Sequence, residues 1–183
     1  LSGLIEEWGA PVLTQMAVFS RDPYQLLIAC LLSLRTRDET TSKAAHHLFN
    51  IAATPAEMVL LSTEQIEKII YPVGFYRTKA QRILEISQRL NDEYSGQVPS
   101  VLDELLTFNG VGRKTANLVV TLGFQLPGIC VDTHVHRISN RWGYVRTKTP
   151  DETEMALRKK LPTKFWLRYN DLLVSLGQVV CHP

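Results

Sequence analysis

Apolar residues along this chain recur at the three- and four-residue spacing of amphipathic helices, without the sustained alternation that marks strands. From about Tyr76, the positions Ala80, Ile83, Leu84, Ser87, Leu90 and Tyr94 fall on one face, while Arg77, Lys79, Gln81, Arg82, Glu85 and Arg89 occupy the rest. Phe165, Tyr169, Leu172, Leu173, Leu176 and Val180 repeat the pattern near the C-terminus. The segment from Pro23 to Leu34 is apolar nearly all round, which predicts a central buried helix. Several starts are written locally. Asp22-Pro23-Tyr24-Gln25, Thr54-Pro55-Ala56-Glu57 and Thr149-Pro150-Asp151-Glu152 each place a capping side chain, then Pro at the first helical position, then Gln or Glu at the third. Ser100-Val101-Leu102-Asp103 repeats the box in variant form. The pattern predicts about ten helices joined by short loops, an all-α fold. Gly128-Ile129-Cys130-Val131 reads as locally extended but too isolated to seed a sheet.

Composition narrows this only slightly. The 183 residues are 45% hydrophobic and 21% charged, an ordinary globular mix without low-complexity stretches. The longest nearly apolar run, Leu26 to Leu34, is too short to cross a bilayer and is interrupted by Ser33. No basic region leads into an apolar signal core, so an intracellular, cytoplasmic setting is expected, with no membrane partner. Leu1 in place of Met suggests a trimmed N-terminus. Three cysteines, none near another in sequence, argue against a disulfide framework. Net charge is only +2, yet Arg113, Lys114, Arg137, Arg141, Arg146 and Lys148 stand against the single acid Asp132 between positions 113 and 148. A local basic stretch is what a phosphate-binding face requires, although a solvated surface has the same composition.

The most informative segment runs from Leu105 to Val120. A short helix is expected to end near Phe108, Gly110 and Gly112 to form a tight turn, and a second helix to begin at about Arg113, with Ala116, Val119 and Val120 packed inward. The first-turn N–H groups of such a helix point outward with the positive end of its dipole, and small turn residues let a phosphate oxygen reach them. Gly110, Val111, Gly112, Arg113 and Thr115 are the candidate DNA-binding residues, in a grip that reads no base edge. The bland alternative is a helix-turn-helix corner with a Gly cap. A faint echo, Gly74, Arg77 and Ala80 against Gly110, Arg113 and Ala116, raises the possibility of a second turn of this kind.

Gly110-Val-Gly-Arg-Lys-Thr-Ala-Asn117 followed by Val131-Asp-Thr-His134 resembles the helix-hairpin-helix base-excision DNA glycosylases, in particular the endonuclease III branch. The resemblance extends through Leu31-Leu-Ser-Leu-Arg-Thr-Arg-Asp38, Val73-Gly-Phe-Tyr-Arg-Thr-Lys-Ala80 and Leu176-Gly-Gln-Val-Val-Cys181, over essentially the whole chain. It implies two helical lobes with a DNA cleft between them. Residues 17–126 would form a barrel-like lobe with the hairpin at about 101–122, and residues 1–16 plus 127–183 the other.

The resemblance assigns catalysis to Lys114 and Asp132. Breaking an N-glycosidic bond leaves positive character at C1′, which a carboxylate stabilises, and an amine attacking C1′ gives a covalent intermediate that becomes a Schiff base. Lys114 must attack as a free amine, a state that burial and a neighbouring cation such as Arg113 would favour. From local sequence alone, Asp132 is equally a helix N-cap and Lys114 equally a phosphate contact. The resemblance also implies that Arg35 and Phe75 fill the gap left by a base flipped out of the duplex. The family usually carries a neutral amide where Arg35 stands and a smaller aliphatic residue where Phe75 stands, which leaves lesion and opposite-base preference open. Asp38 and His134 are candidate pocket residues; Asp38 is equally a helix cap and His134 equally a structural residue. His134 and His136 lie two apart and so on different helix faces, which argues against a shared metal. Cys181 matches the first ligand of a [4Fe–4S] cluster whose other three cysteines come later in the family; the alternative is a cluster-free relative in which Cys181 is idle. The expected activity is DNA glycosylase with AP lyase on oxidised or damaged pyrimidines in double-stranded DNA, by a monomer. The alternatives are a glycosylase of the same superfamily specific for a mismatch or another base, and a non-catalytic DNA-docking module.

Overall fold

Side-chain caps set where the helices begin. In the computed structural model, which describes residues 22–181, Asp22 accepts a hydrogen bond from the Gln25 N–H at 2.9 Å and opens α1 (Pro23–Ser33). Thr54 and Glu57 complete a reciprocal capping box on α3 (Pro55–Met58), following α2 (Asp38–Phe49). Ser62 and Gln65 form a second such box on α4 (Thr63–Ile70), a pair absent from the sequence reading. The long α5 (Tyr76–Tyr94) begins from Phe75 in a left-handed conformation. At α6 (Leu102–Leu105) the expected box fails: the helix starts one residue later, from Val101, which makes no side-chain cap bond. Short α7 (Arg113–Leu118) runs into a π-helical turn, Val119–Gly123. Then come α8 (Thr133–Arg141), α9 (Pro150–Lys160) and α10 (Trp166–Val179), so the described residues hold ten α-helices and no strand. Thr149 caps α9 by accepting from the Glu152 N–H at 3.2 Å, while the Glu152 carboxylate takes the Lys148 N–H instead of closing the box.

Two hydrophobic clusters organise these elements. The first is threaded by α1, whose Tyr24 and every residue from Leu26 to Leu32 are buried, and is closed by Ile83, Ile86 and Leu90 of α5 and by Phe108, Ala116 and Val119 around the hairpin. The second joins Ile129, Val131, Val135, Ile138, Leu157 and Leu173. A small cluster of Cys30, Leu118 and Cys130 links α1, α7 and the irregular 128–131 stretch. The apolar pattern misplaces three residues. Lys79 is buried on the inner face of α5, whereas Phe165 and Val180 are exposed at the two ends of α10. The remaining expectations for residues 1–16 lie outside the described residues. None of the described helices is long and apolar enough to cross a membrane.

Candidate active site

The hairpin turn is closed by the Val111 N–H donating to the Phe108 carbonyl at 3.0 Å. Gly110 sits at φ +86°, where an L side chain is strained, and a Cβ there would also press on the Arg82 side chain at 2.8 Å. Gly112 is different. Its φ of −92° suits any residue, and a Cβ would meet nothing within 4 Å. Among the described residues no contact therefore demands glycine at 112. The side chains of Val111 and Thr115 are buried, so what the turn offers outward is main chain. The expected echo at Gly74 is not a second turn of this kind: its N–H donates to Thr36 Oγ1 at 3.2 Å, and a Cβ would lie 2.5 Å from the Arg35 carbonyl oxygen.

Arg113, expected to face phosphate and Lys114, turns instead to α9. Its Nε and Nη2 donate to Glu154 at 2.8 and 2.7 Å, and Arg158 Nε donates to the same carboxylate at 2.8 Å. Arg158 also donates to Asn117 Oδ1 at 2.9 Å, and Asn117 donates back to the Arg113 carbonyl at 3.0 Å. Glu154 is only 2% exposed. Burial alone would raise its pKa, but the two guanidinium groups outweigh that and hold the carboxyl below its ordinary value. The result is a closed ionic joint between the hairpin helix and the second cluster.

One residue further on, Lys114 projects toward Asp132, with Nζ 4.0 Å from Oδ2. Asp132 caps α8 with its other oxygen, Oδ1 accepting from the Val135 N–H at 2.9 Å. The cap fixes the carboxylate, whose side chain is 10% exposed, while the Lys114 side chain remains 47% exposed at the mouth of the site. An anchored anion thus faces a half-exposed amine. Lys114 is half-exposed rather than buried, and the Arg113 guanidinium beside it in sequence is held by Glu154.

The other expected site residues divide. Arg35 and Phe75 come together from two separate loops, the guanidinium carbon 5.6 Å from the ring centroid, and Phe75 is 62% exposed. Both have left-handed backbones, at φ +53° and +58°. Together with Leu31, Leu34, Thr78, Lys79 and Arg82 they line a cavity of about 380 Å³. Arg82 also lies against Gly110, so the cavity adjoins the hairpin turn. Asp38 is exposed at the first position of α2, whose N-cap is Arg37, and so does not cap that helix. His134 Nδ1 lies 3.2 Å from Arg137 Nη2, and its ring packs so tightly on α10 that a Cβ at Gly177 would collide with it. His136 Nδ1 hydrogen-bonds Thr153 Oγ1 at 2.7 Å, tying α8 to α9.

Sequence reasoning overlooked Lys79, Glu154 and Arg82. Lys79 stands four and seven residues before the buried Ile83 and Ile86, and Glu154 three before the buried Leu157, so helical spacing carried a signal that their charge masked.

A [4Fe–4S] cluster needs four ligands, usually cysteine thiolates. Burial pushes the Cys30 thiol up to about 12 and Cys130 well above its ordinary value, so neither offers a thiolate. Cys181 Sγ accepts from Arg141 Nη1 at 3.2 Å. Among the described residues no three His, Cys, Asp or Glu side chains are grouped to hold a metal ion, so these residues do not make up the cluster's ligand set.

Comparison with known proteins accounts for this arrangement. Residues 28–163 match the HhH-GPD superfamily base excision DNA repair proteins. The endonuclease III of Thermotoga maritima is 51% identical over 162 residues, spanning 88% of this chain and 76% of that protein. That of Escherichia coli is 36% identical over 159 residues, spanning 87% and 75%. Among solved structures, a trapped endonuclease III–DNA covalent intermediate, an estranged-adenine complex, aligns with a TM-score of 0.84 at 38% identity, covering 88% of this chain and 76% of that one. A thermostable thymine-DNA glycosylase shares the fold at 22% identity, with a TM-score of 0.79. The hairpin, the helices around it and the matched sequence agree: this chain belongs to the endonuclease III family within the HhH-GPD superfamily of base excision DNA repair proteins.

Proposed function

We propose that this chain excises an oxidised or otherwise damaged pyrimidine from duplex DNA and then cuts the strand at the exposed sugar. The observation that carries this reading is the juxtaposition of Lys114 Nζ and Asp132 Oδ2 at 4.0 Å, one group on the hairpin helix and the other at the start of α8. The solved covalent complex of a relative with DNA supports it.

Chemistry follows from the pair. The hairpin main chain holds phosphate, and the target nucleotide must leave the base stack because C1′ is shielded within the duplex. As the glycosidic bond breaks, its electron pair departs with the base and C1′ becomes cationic. The fixed Asp132 carboxylate stabilises that charge without having to reorganise. Lys114 gives up a proton, for which Asp132 is a near acceptor, and its nitrogen forms the new bond to C1′. Ring opening yields a Schiff base, which acidifies the C2′ proton, and loss of that proton expels the 3′ phosphate by β-elimination. Arg35 and Phe75 stand ready to occupy the vacated duplex position, Arg by bonding the unpaired partner base and Phe by stacking. In this reading residues 22–126 and 127–181 act as two lobes bordering the DNA cleft, and the substrate places the protein inside the cell. Cys181 is further proposed as a cluster ligand in a protein that supplies the other three, and iron content with visible absorption after anaerobic purification tests that point.

The test of the activity is a panel of duplexes bearing defined oxidised pyrimidines, each read for free base and for the β-elimination product. Both products should appear on at least one oxidised pyrimidine and neither on undamaged duplex. Base release confined to mismatches would move the substrate class, and binding without any release would leave only DNA docking.

A further inference from the structure

The two loops that carry Arg35 and Phe75 are stitched together by a buried ammonium. Lys79, only 6% exposed, donates from Nζ to the Leu32 carbonyl at 2.8 Å, the Leu34 carbonyl at 2.6 Å and Thr36 Oγ1 at 3.1 Å. Thr36 Oγ1 also accepts the Gly74 N–H at 3.2 Å and donates to the Leu34 carbonyl at 3.3 Å. The hydroxyl's one proton and two lone pairs are thereby all used. One lysine thus gathers the end of α1 and the following loop, and one threonine carries that hold across to the loop before α5. On either side of this joint, Arg35 and Phe75 adopt left-handed backbones that L residues populate sparingly. Neither conformation would persist without something to hold it.

We propose that Lys79, acting through Thr36, is a positioning residue that locks the Arg35 and Phe75 loops into a single rigid wedge for opening the duplex. The proposal rests on the reading of Arg35 and Phe75 as the side chains that enter DNA. Geometry supports their acting together: their side chains touch, Phe75 projects into solvent, and the cavity beside them adjoins the hairpin turn through Arg82. The clamp also has a built-in pH limit. Burial lowers the Lys79 ammonium to about 8, and the charged side chains sharing its cavity are Arg35 and Arg82, with no carboxylate among the lining residues. As pH rises through that value, Lys79 loses one of the three protons it donates and the clamp loosens.

The experiment compares two reactions of the same protein: excision of an oxidised pyrimidine from a fully paired duplex, which requires opening, and nicking of a preformed abasic site in single-stranded DNA, which does not. Thr36→Val removes the hydroxyl at nearly constant shape, and Thr36→Ser retains it. We expect Thr36→Val and Lys79→Met to lower the ratio of excision to nicking about tenfold, the loss of roughly one well-placed hydrogen bond in the opened state. Thr36→Ser should keep the wild-type ratio. In wild type the ratio should fall as pH rises through about 8, and in Lys79→Met it should stay flat. Thermal melting identifies any variant that fails to fold, and Thr36→Val carries the test if Lys79→Met is one. Arg35→Ala and Phe75→Ala serve as controls. If they lower the ratio and Thr36→Val does not, the clamp is wrong and the wedge stands. If none of the four substitutions changes it, the wedge reading falls and the clamp with it. Equal losses in both reactions would make Lys79 and Thr36 merely structural and overturn the proposal.

Discussion

At the scale of single residues, Asp132 does two jobs with two oxygens: Oδ1 caps α8 and Oδ2 faces Lys114. The two roles can be separated by substitution. Asn caps a helix about as well as Asp, so Asp132→Asn should melt within ~0.5 kcal/mol of wild type. An amide cannot stabilise a sugar cation as a carboxylate does, so base release in single-turnover assays should slow by about 100-fold or more. Loss of stability parallel to loss of rate would show that the cap, and not the charge, is what matters. This pair was visible in the sequence through Val131-Asp-Thr-His134 and the hairpin motif, although the residues themselves left a cap and a phosphate contact equally open. Lys79 and Glu154 were not visible. A charged side chain in a helix is read as solvent-facing, and only the fold reveals that carbonyls of α1 and two arginines wait to receive them. The pairing of Arg113 with Glu154 was not visible either, since the partner lies 41 positions away.

Among the elements, the hairpin divides its glycines by purpose. Gly110 is required by its backbone at φ +86° and by Arg82, so Gly110→Ala should destabilise the fold by about 1 kcal/mol or more in denaturant titration. Gly112 has open space around it and ordinary dihedrals. Gly112→Val should therefore fold normally yet weaken binding to damaged and undamaged duplex by similar factors, because the added side chain meets phosphate. Selective loss of lesion binding would contradict a main-chain grip. The ionic joint between α7 and α9 gives a second prediction. Glu154→Gln leaves two guanidinium groups without their carboxylate. The destabilisation should be on the order of 2 kcal/mol, below the ~3–5 kcal/mol of a fully buried pair because both arginines are about a quarter exposed. The sign of the pH effect follows from the lowered Glu154 pKa. Its contribution is present above the ordinary glutamate value and is lost as pH falls through the lower folded one. The difference between wild type and Glu154→Gln should therefore shrink in acid melts. A difference that persists unchanged would show that packing, not charge, makes the joint.

Over the whole molecule, what was legible depended on the range of the interaction. Local signals were sufficient for the caps at Asp22, Thr54 and Thr149 and for the buried α1. They failed at Ser100, where the helix begins one residue late, and at Phe165 and Val180, where the pattern outlasts the packed part of α10. The division of the core into two clusters, and the joint that sets one against the other, are long-range facts that periodicity does not encode. The hairpin helix and the start of α8 stand at the 4.0 Å Lys114–Asp132 spacing on which the proposed chemistry depends. The most direct measurement of that chemistry is reductive trapping. Full-length protein is incubated with a duplex containing an oxidised pyrimidine in the presence of borohydride, and the products are resolved under denaturing conditions. Wild type should give a covalent protein–DNA adduct, with peptide mapping locating the link at Lys114. Lys114→Gln should give neither adduct nor strand cleavage while binding the duplex with nearly wild-type affinity. Trapping or cleavage by Lys114→Gln at the wild-type level would assign the nucleophile to another amine and contradict the account.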